Sequence, residues 1–219
     1  MILLTGGSGI LGQEIEKRLE VHAPSHEELD IANEEDVSKI RADIIIHCAA
    51  YTNVNDAEWD RKKCYEVNVI GTKLLSSLGI PMLYMSTDSV FDGEEGNYNE
   101  YDIPYPKNFY SLTKLLGEKE VTNGIIIRGC PKTRPWAHEV ACTDRFSSAE
   151  YVDEIAEKIV KAVSIFDRLP RIVHIGSKRR SHYELAQITK PNVKPIEIKE
   201  YKIYRGRDIS LSTSLWDSL

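Results

Sequence analysis

A chain of 219 residues with 42% hydrophobic and 28% charged side chains can build one sizeable core and at most a small appended lobe. Its formal net charge of −6, with no basic tract, excludes nucleic acid as the main partner. No apolar run approaches the roughly 20 residues that span a bilayer, and the first residues read as a strand rather than a signal peptide, so a cytoplasmic protein with no membrane partner is expected. Cys48, Cys64, Cys130 and Cys142 form no CxxC and no cluster with the histidines, which predicts free thiols and no metal site.

The first predicted element is a short apolar strand, Met1 to Leu4, followed by a turn with glycines at 6, 7, 9 and 12 and a helix through about Glu20. A glycine tolerates φ > 0 and lets a phosphate approach the backbone, and the free N–H groups at a helix start favour an anion. The spacing Gly6-x-x-Gly9-x-x-Gly12, with Ile10 and Leu11 opening the helix, therefore reads as a phosphate cradle in its confirming strand–turn–helix context. A second short strand is predicted over Glu20 to Ala23 and a loop over Pro24 to Glu28. In dinucleotide-binding units an acidic residue after this strand takes the ribose hydroxyls, and a neutral or basic one leaves room for a 2′-phosphate. Ser25 and His26 stand near that position, so NADP is slightly preferred and NAD stays open. Asp30 and Ile31 precede a helix over Asn33 to Ile40 with Asn33 as its cap; Asp30 is either a turn residue or an adenine contact.

Ala42 to Ala50 is a β-branched apolar run of the kind buried on both faces of a parallel sheet, with His47 and Cys48 in the core. The small Ala49 and Ala50 end it where bulk would block a pyrophosphate. A long helix follows over 56–78, its stripe formed by Ala57, Val67, Ile70, Leu74, Leu75 and Leu78 and its end marked by Gly79 and Pro81. Next come a strand from Pro81 to Met85, the polar end Ser86-Thr87-Asp88, a loop over 92–108, and a helix carrying Tyr110 and Lys114. This alternation predicts an α/β fold, a Rossmann-type doubly wound parallel sheet, with ligands beyond the carboxyl ends of its strands. Four residues apart, Tyr110 and Lys114 share a helix face. A cation near a phenol lowers its pKa from about 10, and a tyrosine so tuned can give a proton to a carbonyl oxygen. The remaining elements are a strand over Ile125 to Arg128, a helix over 149–166, a strand over 171–176, a helix over 181–189 and a strand over 195–199. Glu150, Asp153, Glu154, Glu157 and Lys158 read as a solvated helix face, and Lys178, Arg179 and Arg180 as a charged loop.

Taken together, TGGSGILG at 5–12, CAAYTNVNDAE at 48–58, VNVIGT at 67–72, STDSVFDG at 86–93 and the run from Glu100 through Tyr110 and Lys114 to Glu118 resemble the extended short-chain dehydrogenase/reductases, and within them the dTDP-4-dehydrorhamnose reductase family. Ser181 to Ala186 and Arg205 to Leu211 look like that family's substrate-side segments. The resemblance implies reduction at C4 of a nucleotide-linked sugar by a nicotinamide cofactor. Tyr110 would be the general acid, Lys114 would hold the nicotinamide ribose and depress the tyrosine pKa, and Thr87, with Asp88 beside it, would meet the substrate. Gly6, Gly9, Ile10, Leu11 and Gly12 would cradle the pyrophosphate, Asp30, Ile31, Ala49, Ala50 and Tyr51 would border the cofactor, and Asn68 would stand behind the site. Arg205 and Arg207 would take substrate phosphate oxygens.

Departures from the family are Asn55 for Asp, Ser111 for Gly, Gly206 for Pro, Gly129-Cys130-Pro131 for Thr-Ser-Trp, and a much reduced excursion over Lys132 to Cys142. Residues 1–128 are thus expected to bind NAD(P), and 129–219 to complete the sheet and form a reduced, small C-terminal substrate-side lobe. An epimerase or dehydratase of the same superfamily and a non-catalytic NADP-binding regulatory subunit are the alternatives, and a homodimer is an open expectation.

Overall fold

The apolar runs Ile2–Thr5 (β1), Ile44–His47 (β2), Met82–Met85 (β3) and Gly124–Arg128 (β4) lie side by side in the computed structural model, which describes residues 1–200, 203–204 and 206–219. Small strands follow at Pro131–Lys132 (β5), Val140–Cys142 (β6), Phe146–Ser147 (β7) and Glu150–Tyr151 (β8). Ile172–His174 (β9) closes the main sheet, in the order β1-β2-β3-β4-β9 with every pair parallel. This is the expected Rossmann-type α/β sheet.

Successive side chains of a strand point to opposite faces, and both faces here are covered. On one side Leu4, Ile46, Ile127 and Val173 pack with Leu11 and Ile15 of the helix Ile10–Glu16 (α1). Ile155 and Ile159 of a later helix, Val152–Ser164, complete that layer. On the other side Leu3, Ile45, Met82, Tyr84 and Ile126 pack with Val37 of Glu34–Ser38 (α2) and with Leu75. Asn33 caps α2, its side chain accepting from the N–H groups of Glu35 and Asp36. Full burial of such side chains contributes roughly 1.5–3 kcal/mol each.

The second strand expected over Glu20 to Ala23 shrinks to one bridge: His22 N–H donates to Ile2 O and Leu4 N–H to His22 O, both at 2.8 Å. Pro24 follows at once and has no N–H to continue a ladder. Of the predicted helix over 56–78, Asp56–Glu58 is a separate 3₁₀ turn, and the run from Arg61 to Ser77 is continuously helical: Arg61–Tyr65 (α3), a π-helical stretch Glu66–Gly71 and Thr72–Ser77 (α4). The helix Phe109–Glu120 (α5) is continuous and capped by Asn108, whose side chain accepts from Ser111 N–H at 2.9 Å.

Beyond residue 128 the helix expected from 149 begins at Val152 (α6), because Glu150 and Tyr151 are extended and pair with β5. Glu150 is consequently not on a solvated face: it is 9% exposed and accepts from the Lys158 ammonium, which also donates to Gly176 O at 2.7 Å. Asp153 and Glu154 hold Arg134 at 3.0 and 3.1 Å. The rest is made of Arg180–Ser181 (β10), pairing with β7, His182–Gln187 (α7), Lys194–Ile196 (β11), pairing with β6, and Ser214–Asp217 (α8). Trp136, Tyr151 and Leu185 form a separate small core there. Among the described residues no helix is long and apolar enough to cross a membrane and no group of side chains could hold a metal ion. All the cysteines are free.

Candidate functional site

The turn after β1 is built from backbone that only glycine fits. Gly6 has φ +78°, and a Cβ there would lie 2.5 Å from Ala49 N; one on Gly12 would lie 2.2 Å from Gly6 O. Ala49 is thus in backbone contact with the glycine turn. The turn closes through Gly9 N–H to Gly6 O at 3.0 Å, and Gly9 opens α1 without a side-chain cap.

From this turn a cleft of about 730 Å³ runs along the carboxyl ends of the strands. Of the sequence-predicted residues, Gly6, Gly9, Ile10, Leu11, Gly12, Asp30, Ile31, Ala49, Ala50, Thr87, Asp88, Tyr110 and Lys114 all line it. Asp30 is also a turn residue, its Oδ1 accepting from Ala32 N–H at 2.9 Å. Tyr51 is not on the wall. Its backbone is held from behind by Asn68, which accepts from Tyr51 N–H at 2.8 Å, donates to Tyr51 O at 3.1 Å and donates to Thr113 Oγ1 at 3.0 Å. Arg207 is exposed and does not line the cleft; its backbone N–H donates to Gly93 O and its carbonyl accepts from Phe146 N–H. Arg205 lies outside the described residues. Sequence reasoning passed over Asn108, Cys130, Lys132 and Arg145, which line the cleft. The departure at 129–131, directly after β4, was the signal that could have found Cys130 and Lys132; Arg145 carried none.

Thr87 caps the 3₁₀ turn Asp88–Val90, its Oγ1 accepting from Ser89 N–H and donating to Asp88 Oδ1, each at 3.1 Å. Its side chain and that of Tyr110 face the same cleft. Lys114 is 2% exposed; its ammonium donates to Met85 O at 2.9 Å and sits 4.1 Å from the centre of the Tyr84 ring. Burial brings its pKa down to about 8. The expected depression of the Tyr110 pKa does not occur. Burial pushes it well up and the charge on Asp88 adds to this, while the Lys114 ammonium is turned to Met85 O and the Tyr84 ring.

Beneath the site Glu118 pairs with Arg128 at 2.8 Å, both about 3% exposed, and accepts from Ser86 Oγ at 2.6 Å, which fixes the end of β3. His47, as expected a core residue, bridges Thr5 at 2.7 Å and Thr72 at 3.0 Å, and burial brings its pKa down to about 3.

Comparison with known proteins agrees with this arrangement. Residues 1–128 match the family described as RmlD substrate binding domain. The dTDP-4-dehydrorhamnose reductase of Aggregatibacter actinomycetemcomitans is 39% identical over 133 residues, 54% of this chain but only 45% of that protein, so the chain aligns with less than half of that relative's length. The spore coat polysaccharide biosynthesis protein SpsK of Bacillus subtilis is 30% identical over 219 residues, 84% of this chain and 76% of that protein. Among solved structures, dTDP-4-dehydrorhamnose reductase from Bacillus anthracis in complex with NADP superposes with a TM-score of 0.81 at 27% identity, over 96% of this chain and 89% of that one. The glycine turn, the Thr87, Tyr110 and Lys114 wall and these matches together establish that the chain belongs to the RmlD substrate-binding domain family, the family of the dTDP-4-dehydrorhamnose reductases.

Proposed function

We propose that the protein is an NADP- or NAD-dependent reductase of a nucleotide-activated 4-keto sugar. The observation that carries this reading is that Thr87, Tyr110 and Lys114 line the same cleft as the glycine turn. The turn fits a dinucleotide pyrophosphate, since side chains at Gly6 and Gly12 would fill the space against the backbone. Gly6, Gly9 and Gly12 with Ile10 and Leu11 would hold the pyrophosphate, Ala49 and Ala50 would leave room for it, and Asp30 and Ile31 would border the adenine end. His26, rather than an acidic residue, stands on the wall near the ribose position, which supports NADP.

A bound reduced nicotinamide supplies the hydride. Tyr110 gives its proton to the carbonyl oxygen, and Thr87 at the end of β3 would turn its hydroxyl from Asp88 to donate to that oxygen, with Asp88 facing the substrate beside it. The raised pKa of Tyr110 keeps the phenol protonated at neutral pH, the form needed for reduction. Lys114 would hold the nicotinamide ribose. In this reading residues 1–128 bind the cofactor and 129–219 form the substrate-side lobe. The enzyme would be cytoplasmic, supported by its free cysteines. A homodimer would use the exposed Trp59, Tyr101 and Ile103, 87%, 89% and 89% exposed, and sedimentation velocity checks it.

Following fluorescence while titrating with NADPH and NADH tests the cofactor, and loss of NADPH absorbance on adding dTDP-4-dehydrorhamnose tests the reaction. Net NADPH oxidation is expected. No binding of either nucleotide at millimolar concentration would sink the reading.

A further inference from the structure

Two cations stand on the cleft wall that the reductase mechanism does not use. Lys132 ends β5, a few residues beyond the carboxyl end of β4, and Arg145 directly precedes β7; both line the cleft along the carboxyl ends of the sheet. Arg145 is 6% exposed, and its Nε has no hydrogen-bond partner among the described residues. A guanidinium stays charged at any working pH, and a charge buried without a partner is costly.

The nearby carboxylate does not quench this charge. Asp88 is 1% exposed and feels both Arg145 and Lys132, yet its Oδ2 also lacks a hydrogen-bond partner. Two cations against one carboxylate leave an excess positive charge. The cluster abuts the proton donor: Tyr110 lines the same cleft as Asp88, Cys130, Lys132 and Arg145 and feels the charge of Asp88.

We propose that Arg145 and Lys132 form a subsite for an anionic oxygen group of the substrate, a carboxylate on the sugar or the diphosphate, beside Tyr110. The guanidinium fork suits two such oxygens, and the half-buried Lys132 adds a mobile ammonium. This rests on the reductase reading for the identity of the ligand.

The test is calorimetry on NADPH-loaded protein with two matched pairs, dTDP-glucuronate against dTDP-glucose and dTDP against thymidine. In at least one pair the anionic member should bind at least about 10-fold more tightly, and Arg145→Gln and Lys132→Met should each reduce that preference several-fold with NADPH affinity unchanged. A preference in the first pair assigns the group to a sugar carboxylate, and one in the second to the diphosphate. Should Arg145→Gln fail to bind NADPH, the less buried Lys132→Met decides. Wild-type preferences in that variant, or none in the wild type, overturn the subsite. Failure of the reductase reading looks different: no 4-keto sugar nucleotide oxidises NADPH, whether or not the variants alter anion binding.

Discussion

Tyr110 and Lys114 share a helix face but serve different partners. The phenol faces the same cleft as Thr87, while the ammonium is spent on Met85 O and the Tyr84 ring. Replacing Tyr110 by Phe keeps the ring and removes the proton. Reductive turnover should fall on the order of 10²-fold or more with NADPH affinity intact, and full retention of rate would show another proton source. Lys114, with its pKa down to about 8, should lose its charge as pH rises through that value. NADPH affinity should therefore weaken above about pH 8, and Lys114→Met should bind weakly at every pH; fluorescence titrations across the alkaline range read both. At this scale the sequence showed which residues meet, since Tyr110, Lys114 and Thr87 are all on the wall. It did not show where the ammonium points, which depends on a carbonyl and a ring from β3, about 30 residues earlier in the chain.

The long helix predicted over 56–78 runs without a gap from Arg61 to Ser77 but carries a π-helical stretch over Glu66–Gly71, and that distortion is where it touches the site. In the π-helical stretch Asn68 turns inward and holds both backbone groups of Tyr51 as well as Thr113, the usual setting of such a distortion near a functional site. Asn68→Ala should leave buried groups unsatisfied and cost about 1–3 kcal/mol per orphaned group, with faster amide exchange at Tyr51; unchanged exchange there would refute the clamp. The glycine turn is legible from sequence because its constraint is local: Gly12→Ala places a Cβ 2.2 Å from Gly6 O, so NADPH affinity should drop by more than an order of magnitude, measured by the same titration. The π-helical distortion is not legible, since the apolar stripe fits a regular helix and the side-chain bonds of Asn68 reach distant segments.

Across the whole molecule, the two packed faces of the sheet carry the stability. Ile155 is fully buried among Leu4, Ile127 and Val173, so Ile155→Ala should cost about 2–5 kcal/mol, read as a lower urea midpoint. Acid should unfold the protein early. His47 and His174 are buried neutral with pKa values down to about 3 from 6.5, so below 6.5 the unfolded chain binds protons that the folded chain refuses. Stability is then full above about pH 6.5 and is lost as pH falls towards 3, which urea midpoints across that range would follow.

What the sequence determined by itself is the part written in local pattern: β-branched runs that make a parallel sheet, glycines that make the turn after β1, and small and polar strand ends that leave room beyond them. The tertiary structure alone decided the rest. Arg207 is exposed and Arg145 lines the cleft, where backbone bonds join the segments at 93, 146, 182 and 207. Glu150 is drawn into a pair with Lys158 because β5 claims its backbone. In both cases the backbone partner lies in another segment of the chain, Gly93 and Phe146 for Arg207 and β5 for Glu150, so the charge pattern of either segment alone could not say which way its side chains would face.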